Sequence, residues 1–381
     1  MSGPDYFADP LGGLTDPEWD ELAGDRFYSS AFWLRLCGFE GGGVAGGVHL
    51  DLAGGGRAAV PVIAVGDNPH PNCQWGRLLA ARGLPSPPER GILVGQRRGY
   101  LAHLLASPAA DRASAAAGLL AAVRAVRPPL GADAPARVAL YLTTPDVLAL
   151  RAAGVRSLPV ALAADAWIAI PPGGWDAWLQ SLGSRHRLRR IRSEVRRFAQ
   201  AGYRVWRCSL RESYRDVARL AVQTEHRYGK AADLAGYTEA FRQQGEFAGD
   251  RAEVLLCGVD DGPPVGCCLY YRDDDTIYLR AVGFDYDRLR GAAEYFNLTY
   301  YLPAQLPGVR WLHAGMSTPD GKALRGAELR PLWLLDLTED SVLERHPEQV
   351  LAHNAAYRTD LAASSPAVAG ALRTELWDAD F

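Results

Sequence analysis

The chain has 381 residues, enough for two domains of ordinary size, and its 48% hydrophobic and 22% charged content is that of a folded globular protein. A formal charge of −3 excludes a uniformly basic nucleic-acid binder, and no apolar run approaches the ~18 residues that cross a bilayer. The N-terminus has no basic segment ahead of an apolar stretch. The six cysteines are scattered without C-x-x-C or metal-ligand spacing. Both features predict a cytoplasmic chain with free thiols, no metal site and no membrane partner.

Of 41 Lys and Arg residues only Lys230 and Lys322 are lysine. With such a bias a single surface Arg carries little information, and a retained Lys carries more.

Residues 1–25 are polar and broken by Asp-Pro and Gly-Gly, which predicts an irregular lead-in. A short helix follows over 29–37. The glycine run 41–47 lacks the Lys-Ser/Thr of a phosphate loop and reads as a hairpin loop. Strands over 48–52 and 58–65 flank Gly54-Gly55-Gly56. The Pro-, Asn- and Gly-rich stretch 67–86 predicts a long loop carrying Trp75. A strand over 91–95, a helix over 113–126, a strand over 138–142, a helix over 145–152 and apolar runs over 158–170 complete the first half. Alternating strands and helices argue for α/β layers. Pro171-Pro172-Gly173-Gly174 is the best boundary. The expected domains are 1–170, 171–345 and a helical tail over 346–381.

The second half opens with a helix over 175–182. A basic helix over 184–202 comes next. Leu188, Ile191, Val195 and Phe198 form its apolar stripe, and Arg185, Arg189, Arg192 and Arg196 form a neighbouring one. A strand over 203–208, helices over 212–228 and 237–247 and a hairpin over 254–271 lead to the stretch DTIYLRAVGFDYDRLRGAAEYFN, residues 275–297. Alternation puts Tyr278 and Arg280 on one face of a strand that Gly283 ends. Arg288, Gly291 and Ala293 then fit R-x-x-G-x-A ahead of a helix through Tyr300. A small-residue turn opening a helix offers N–H groups and the dipole's positive end to phosphate.

That stretch resembles the strand–loop–helix core of the GNAT acyltransferase superfamily. Taken with the basic helix and with Gly315, Asp320-Gly321-Lys322-Ala323-Leu324-Arg325-Gly326, it resembles the tandem-GNAT branch that includes Fem-type aminoacyl-tRNA-dependent transferases. The resemblance covers about 178–333. It implies two tandem GNAT-like α/β domains, mixed sheets flanked by helices, the first a degenerate copy. It also implies a cleft between them and amide formation on a small-molecule amine. Among relatives, specialised-metabolite assembly is one setting for such chemistry.

Two donors stay open: aminoacyl-tRNA, favoured by the tandem arrangement and the dense basic helix, and acyl-CoA, favoured by R-x-x-G-x-A and the charge of −3. Neither is a permanently bound cofactor. A non-catalytic GNAT-like binding module is a third reading. The donor-binding candidates are Arg288, Gly291, Ala293 and Asn297 on the turn and helix, and Arg185, Arg189 and Arg192 on the basic helix. The basic helix is also either a plain solvated face or a stripe contacting a polyanion, tRNA phosphates or a nucleotide 3′-phosphate, since Arg suits both through bidentate bonds. The catalytic candidates are Lys322, Asp285, Arg280, Tyr278 and Glu225. Amide formation needs a group to take the amine proton and positive charge for the oxyanion. The resemblance puts a Lys at the acyl site where Lys322 stands. Arg280 and Asp285 are either a structural ion pair or the acceptor-pocket lining, with Asp285 as a base. Glu225 is a second candidate base.

Overall fold

The computed structural model describes residues 5–38, 43–66, 70–130 and 135–381. The start of the expected lead-in, Gly41 and Gly42 of the glycine run, and residues 67–69 of the expected loop lie outside the described residues. The chain divides into two units, Met1–Asp165 with Arg330–Phe381, and Ala166–Leu329. Both crossings fall inside strands, not at the Pro171-Pro172-Gly173-Gly174 turn.

The first unit opens with helix α1 (Asp16–Ala23), where an irregular segment was expected. Thr15 and Glu18 form a capping box and Pro17 sits in the first turn, a helix-start pattern that the neighbouring breakers obscure. Its Trp19 is buried, with Nε1 donating to the Ser29 carbonyl at 2.8 Å. Helix α2 (Ala31–Cys37) and the hairpin β1 (Val44–Asp51) and β2 (Arg57–Val65) follow. The expected long loop contains α3 (Trp75–Ala80), six residues, too short to carry a helical period. Buried Trp75 anchors it through Nε1 to the Pro88 carbonyl at 2.9 Å. Next come β3 (Gly91–Val94), β4 (Leu105–Ala106), α4 (Arg112–Ala125), β5 (Ala136–Leu142) and α5 (Thr144–Ala152). The apolar runs over 158–170 are one strand, β6 (Val160–Ala169), which crosses into the second unit.

The second unit contains α6 (Gly174–Ser181), the arginine-rich α7 (Arg185–Gln200), β7 (Arg204–Ser209), α8 (Leu210–Arg227) and α9 (Leu234–Ala248). Strands β8 (Ala252–Gly258), β9 (Pro264–Asp273) and β10 (Thr276–Phe284) follow, then α10 (Glu294–Phe296), β11 (Trp311–Gly315) and α11 (Pro319–Ala323). Strand β12 (Ala327–Asp336) returns the chain to the first unit, where α12 (Pro347–Ser364), α13 (Pro366–Ala369) and α14 (Thr374–Trp377) end it. The segment over 346–381 is therefore part of the first unit. Trp333 packs on Phe381 and Trp377, with ring centroids 4.9 and 6.1 Å away. Thr144 accepts from Trp333 Nε1 and donates to the Leu376 carbonyl.

The strands of each unit follow one plan. In the first unit β1, β2 and β3 form an antiparallel meander, β3 pairs parallel with β5, and β5 pairs antiparallel with β12. In the second, β7 to β10 form the meander, β10 pairs parallel with β11, and β11 pairs antiparallel with β6. The strand set of each unit thus ends on a strand that the chain carries across the boundary.

Candidate functional site

The parallel ladder between β10 and β11 covers three pairs, Thr276, Ile277 and Tyr278 against Trp311, Leu312 and His313. Beyond it both strands change register: β10 bulges between Leu279 and Ala281, and β11 shifts against β6 between His313 and Gly315. The parallel ladder ends there. Bulges of this kind re-aim side chains and end pairing beside functional sites. Helix α8 closes one face of β10. A Cβ on Gly283 would lie 2.4 Å from the Leu220 backbone, so only glycine allows this approach. The Phe284 N–H donates to Thr224 Oγ1 at 3.0 Å.

The bulge also corrects the expected alternation. Tyr278 pairs with Tyr271, and Ala281 pairs with Leu269, so Ala281 follows Tyr278 on its face while Arg280 sits half-buried at the bulge. Tyr278 is buried in a cross-strand row with His313 and Trp167, their ring centroids 5.5 and 4.6 Å from that of His313.

After β10 the Asp285 carboxylate lies 3.8 Å from Arg219 and 3.9 Å from Arg288, the ion-pair partners it has where Arg280 was expected. Gly291 and Ala293 both have positive φ, +68° and +60°. The expected turn therefore forms, with its Arg290 and Ala292 N–H groups engaged from within. The Arg290 N–H donates to the Tyr203 hydroxyl at 2.7 Å, and the Ala292 N–H to Glu294 Oε1 at 2.9 Å. The Tyr203 hydroxyl in turn donates to Glu294 Oε1 at 2.6 Å. Glu294 is 5% exposed. Burial and the Glu294 carboxylate hold the Tyr203 phenol above its ordinary pKa, so it stays a donor. Helix α10 continues as a π-helical turn, Asn297–Tyr301. Asn297 is buried and spends its amide on the carbonyls of Ala293 and Glu194, at 2.9 and 3.3 Å.

Lys322 is 3% exposed, on α11, and its Nζ donates to the Gly315 carbonyl at 2.8 Å. Thr318, just before that helix, has φ +53°, a strained conformation for a β-branched residue. Three residues past Lys322, Arg325 is 1% exposed. Its guanidinium donates to Glu194 Oε2 at 2.8 Å, to the Tyr301 hydroxyl at 2.8 Å and to the Gly321 carbonyl at 2.7 Å. It also stacks on Phe296, 3.4 Å from the ring centroid. The Tyr301 hydroxyl donates to Glu194 as well, and Arg190 reaches its other oxygen at 3.1 Å. Burial pushes the Glu194 carboxyl up. The Tyr301, Arg325 and Arg190 contacts outweigh it and hold the group below its ordinary value.

This network was missed in the sequence, though a signal existed. Glu194 lies three residues after Ile191 and four before Phe198, on the buried stripe of α7. A buried ion pair therefore ties the basic helix to the 315–326 segment, and Phe296 and Asn297 of the 275–297 stretch pack on its two ends.

Arg185, Arg189, Arg192 and Arg196 are all exposed along α7. Glu225, near the end of α8, is paired with Lys230 at 2.8 Å and stands apart from the Glu194 network. Among the described residues no group of three or more His, Cys, Asp or Glu is placed to hold a metal, and no helix is long and apolar enough to cross a membrane.

No protein-family model and no curated protein matches the sequence. Solved structures do match in fold. FemX aligns with a TM-score of 0.59 at 15% identity, over 89% of this chain and 98% of its own. The C-terminal DUF2156 domain of a lysylphosphatidylglycerol synthetase candidate from Agrobacterium fabrum aligns at 0.50 and 10% identity, over 88% and 94%. A conserved protein of unknown function from Bacteroides thetaiotaomicron aligns at 0.50 and 11%, over 87% and 95%. The chain has the α/β fold seen in FemX.

Proposed function

We propose that the second unit transfers an aminoacyl group from aminoacyl-tRNA to a small-molecule amine, of the kind used in specialised-metabolite assembly. The amine nitrogen attacks the ester carbonyl, the N–C bond forms, and the ester C–O bond to the terminal ribose breaks. The amine proton ends on the ribose oxygen or in solvent. The exposed arginines of α7 hold phosphates of the donor, and the Lys322 ammonium supplies positive charge for the oxyanion.

The observation that supports this reading is the buried Glu194–Arg325–Tyr301 network. It fixes the arginine helix to the segment carrying Lys322, which supports reading the helix as the donor-holding face and Lys322 as the acyl-site cation of one packed unit. The test is transfer from bulk tRNA charged with labelled amino acids to a panel of amines. An amide product is expected, and Lys322→Met should lower turnover by about 100-fold or more. Transfer from acetyl-CoA, with none from any charged tRNA, would replace this donor by the acyl-CoA alternative.

A further inference from the structure

The turn over 288–293 has the backbone of an anion site. Gly291 and Ala293 are left-handed, with Ala292 between them at negative φ. Alternating hands aim successive N–H groups into one concavity, the form of an anion-binding nest. Ala293 carries a Cβ in that region, at a cost in strain. Its middle N–H, that of Ala292, and the neighbouring Arg290 N–H are taken by the chain itself. The Glu294 carboxylate takes the Ala292 N–H and the Tyr203 hydroxyl, and Tyr203 takes the Arg290 N–H. The Arg290 side chain also donates to the Ala201 carbonyl, just past the end of α7. The Arg288 N–H is taken by the Asp285 carbonyl at 3.1 Å. A buried carboxylate thus stands at the position where a donor phosphate would be held.

We propose that Glu294 is a donor-selecting residue, whose carboxylate fills the turn and refuses the pyrophosphate of a coenzyme A donor. The proposal rests on the acyl-transfer reading and sharpens it by excluding one donor class. A pyrophosphate entering the turn would lose the N–H groups of Arg290 and Ala292. It would also meet the like charge of the buried Glu294 carboxylate, which is 5% exposed. Arg288 alone, half-exposed and beside Asp285, does not replace those donors.

The test is thermal melting and calorimetric titration of the full chain with two probes, inorganic pyrophosphate and coenzyme A. The wild-type melting temperature should not respond to pyrophosphate, and coenzyme A should give no saturable binding at millimolar concentration. Glu294→Ala vacates the nest. It should melt lower, and pyrophosphate should raise its melting temperature saturably. A folded Glu294→Ala protein that ignores the anion overturns the proposal, as does a wild-type protein that binds either probe as tightly as the variant. Should Glu294→Ala not fold, Glu294→Gln keeps the hydrogen-bond acceptor and removes the charge. It should bind coenzyme A at least about tenfold more tightly than wild type, the scale of one relieved like-charge contact. Equal affinity would overturn the proposal. No tRNA and no turnover enter these measurements, so failure of the wild type to bind tRNA would count against the donor reading alone.

Discussion

Both units bury arginine side chains, and they do so for different ends. In the first unit Arg137 donates to the carbonyls of Val123, Val126 and Ala136, and half-buried Arg82 donates to those of Leu78, Ala161 and Leu162. Val123 and Val126 lie at the end of α4, where a helix leaves carbonyls unpaired and its dipole is negative. Those arginines serve backbone carbonyls. In the second unit Arg325 meets a carboxylate from α7 and a phenol from the π-helical turn, and so joins three separate segments. A cation that closes a helix end can be lost with local damage. A cation that neutralises a buried carboxylate cannot.

The largest effect is therefore expected at Arg325→Ala. It removes the fully buried partner of Glu194 and leaves that carboxylate only exposed Arg190 and the Tyr301 hydroxyl, a loss of about 3–5 kcal/mol, or roughly 6–20 °C in melting temperature for a unit of this size. Arg137→Ala should cost less, about 1–3 kcal/mol for unmet carbonyls. Thermal melts of the two variants check the order, and equal losses would remove the distinction drawn between the units.

Acid sharpens the contrast. Glu194 has a lowered pKa, so its contribution is full above the unfolded carboxyl value of about 4.3 and is lost as pH falls through the folded value. Glu194→Gln should flatten the acid limb of the stability profile. Asp336 of the first unit is opposite in sign. Burial raises its pKa despite bonds from Ser341 and Thr338, so its ionisation opposes folding as pH rises from its unfolded value through its folded one. Asp336→Asn should match or slightly exceed wild-type stability at pH 7, a gain that vanishes below about pH 4. Chemical denaturation at several pH values reads both signs.

The smallest effect on stability is expected at Arg189→Ala with Arg192→Ala, within about 0.5 kcal/mol, since both side chains are exposed. The same pair should weaken tRNA binding and lower its salt slope by roughly 1.5. A filter-binding series across salt checks this.

The fold was legible in the sequence where short-range patterns carry it. The arginine helix, the meander strands and the R-x-x-G-x-A turn all lie close to their expected places. Local chemistry misled where two signals competed, as at Thr15 and Glu18, whose capping box sits among breakers. It was silent where structure depends on distant pairing. The bulge at Arg280 follows from how β9 and β10 register, and the exchange of β6 and β12 pairs strands far apart in sequence. At the candidate site, Lys322 stood out because lysine is rare here. Glu294 did not, because a carboxylate one residue past a phosphate-type turn looks like an ordinary helix-start residue until the N–H it accepts is seen. Glu194 was hidden among arginines, although its spacing from Ile191 and Phe198 placed it on the buried face.

The most direct test of the central claim is binding of the full chain to bulk aminoacyl-tRNA across a salt series, with coenzyme A as competitor. Saturable binding with a log–log salt slope of about −3, as four phosphate contacts would give, and no displacement by coenzyme A is the result this structure predicts. Absence of RNA binding at low salt, together with saturable binding of coenzyme A, would contradict it.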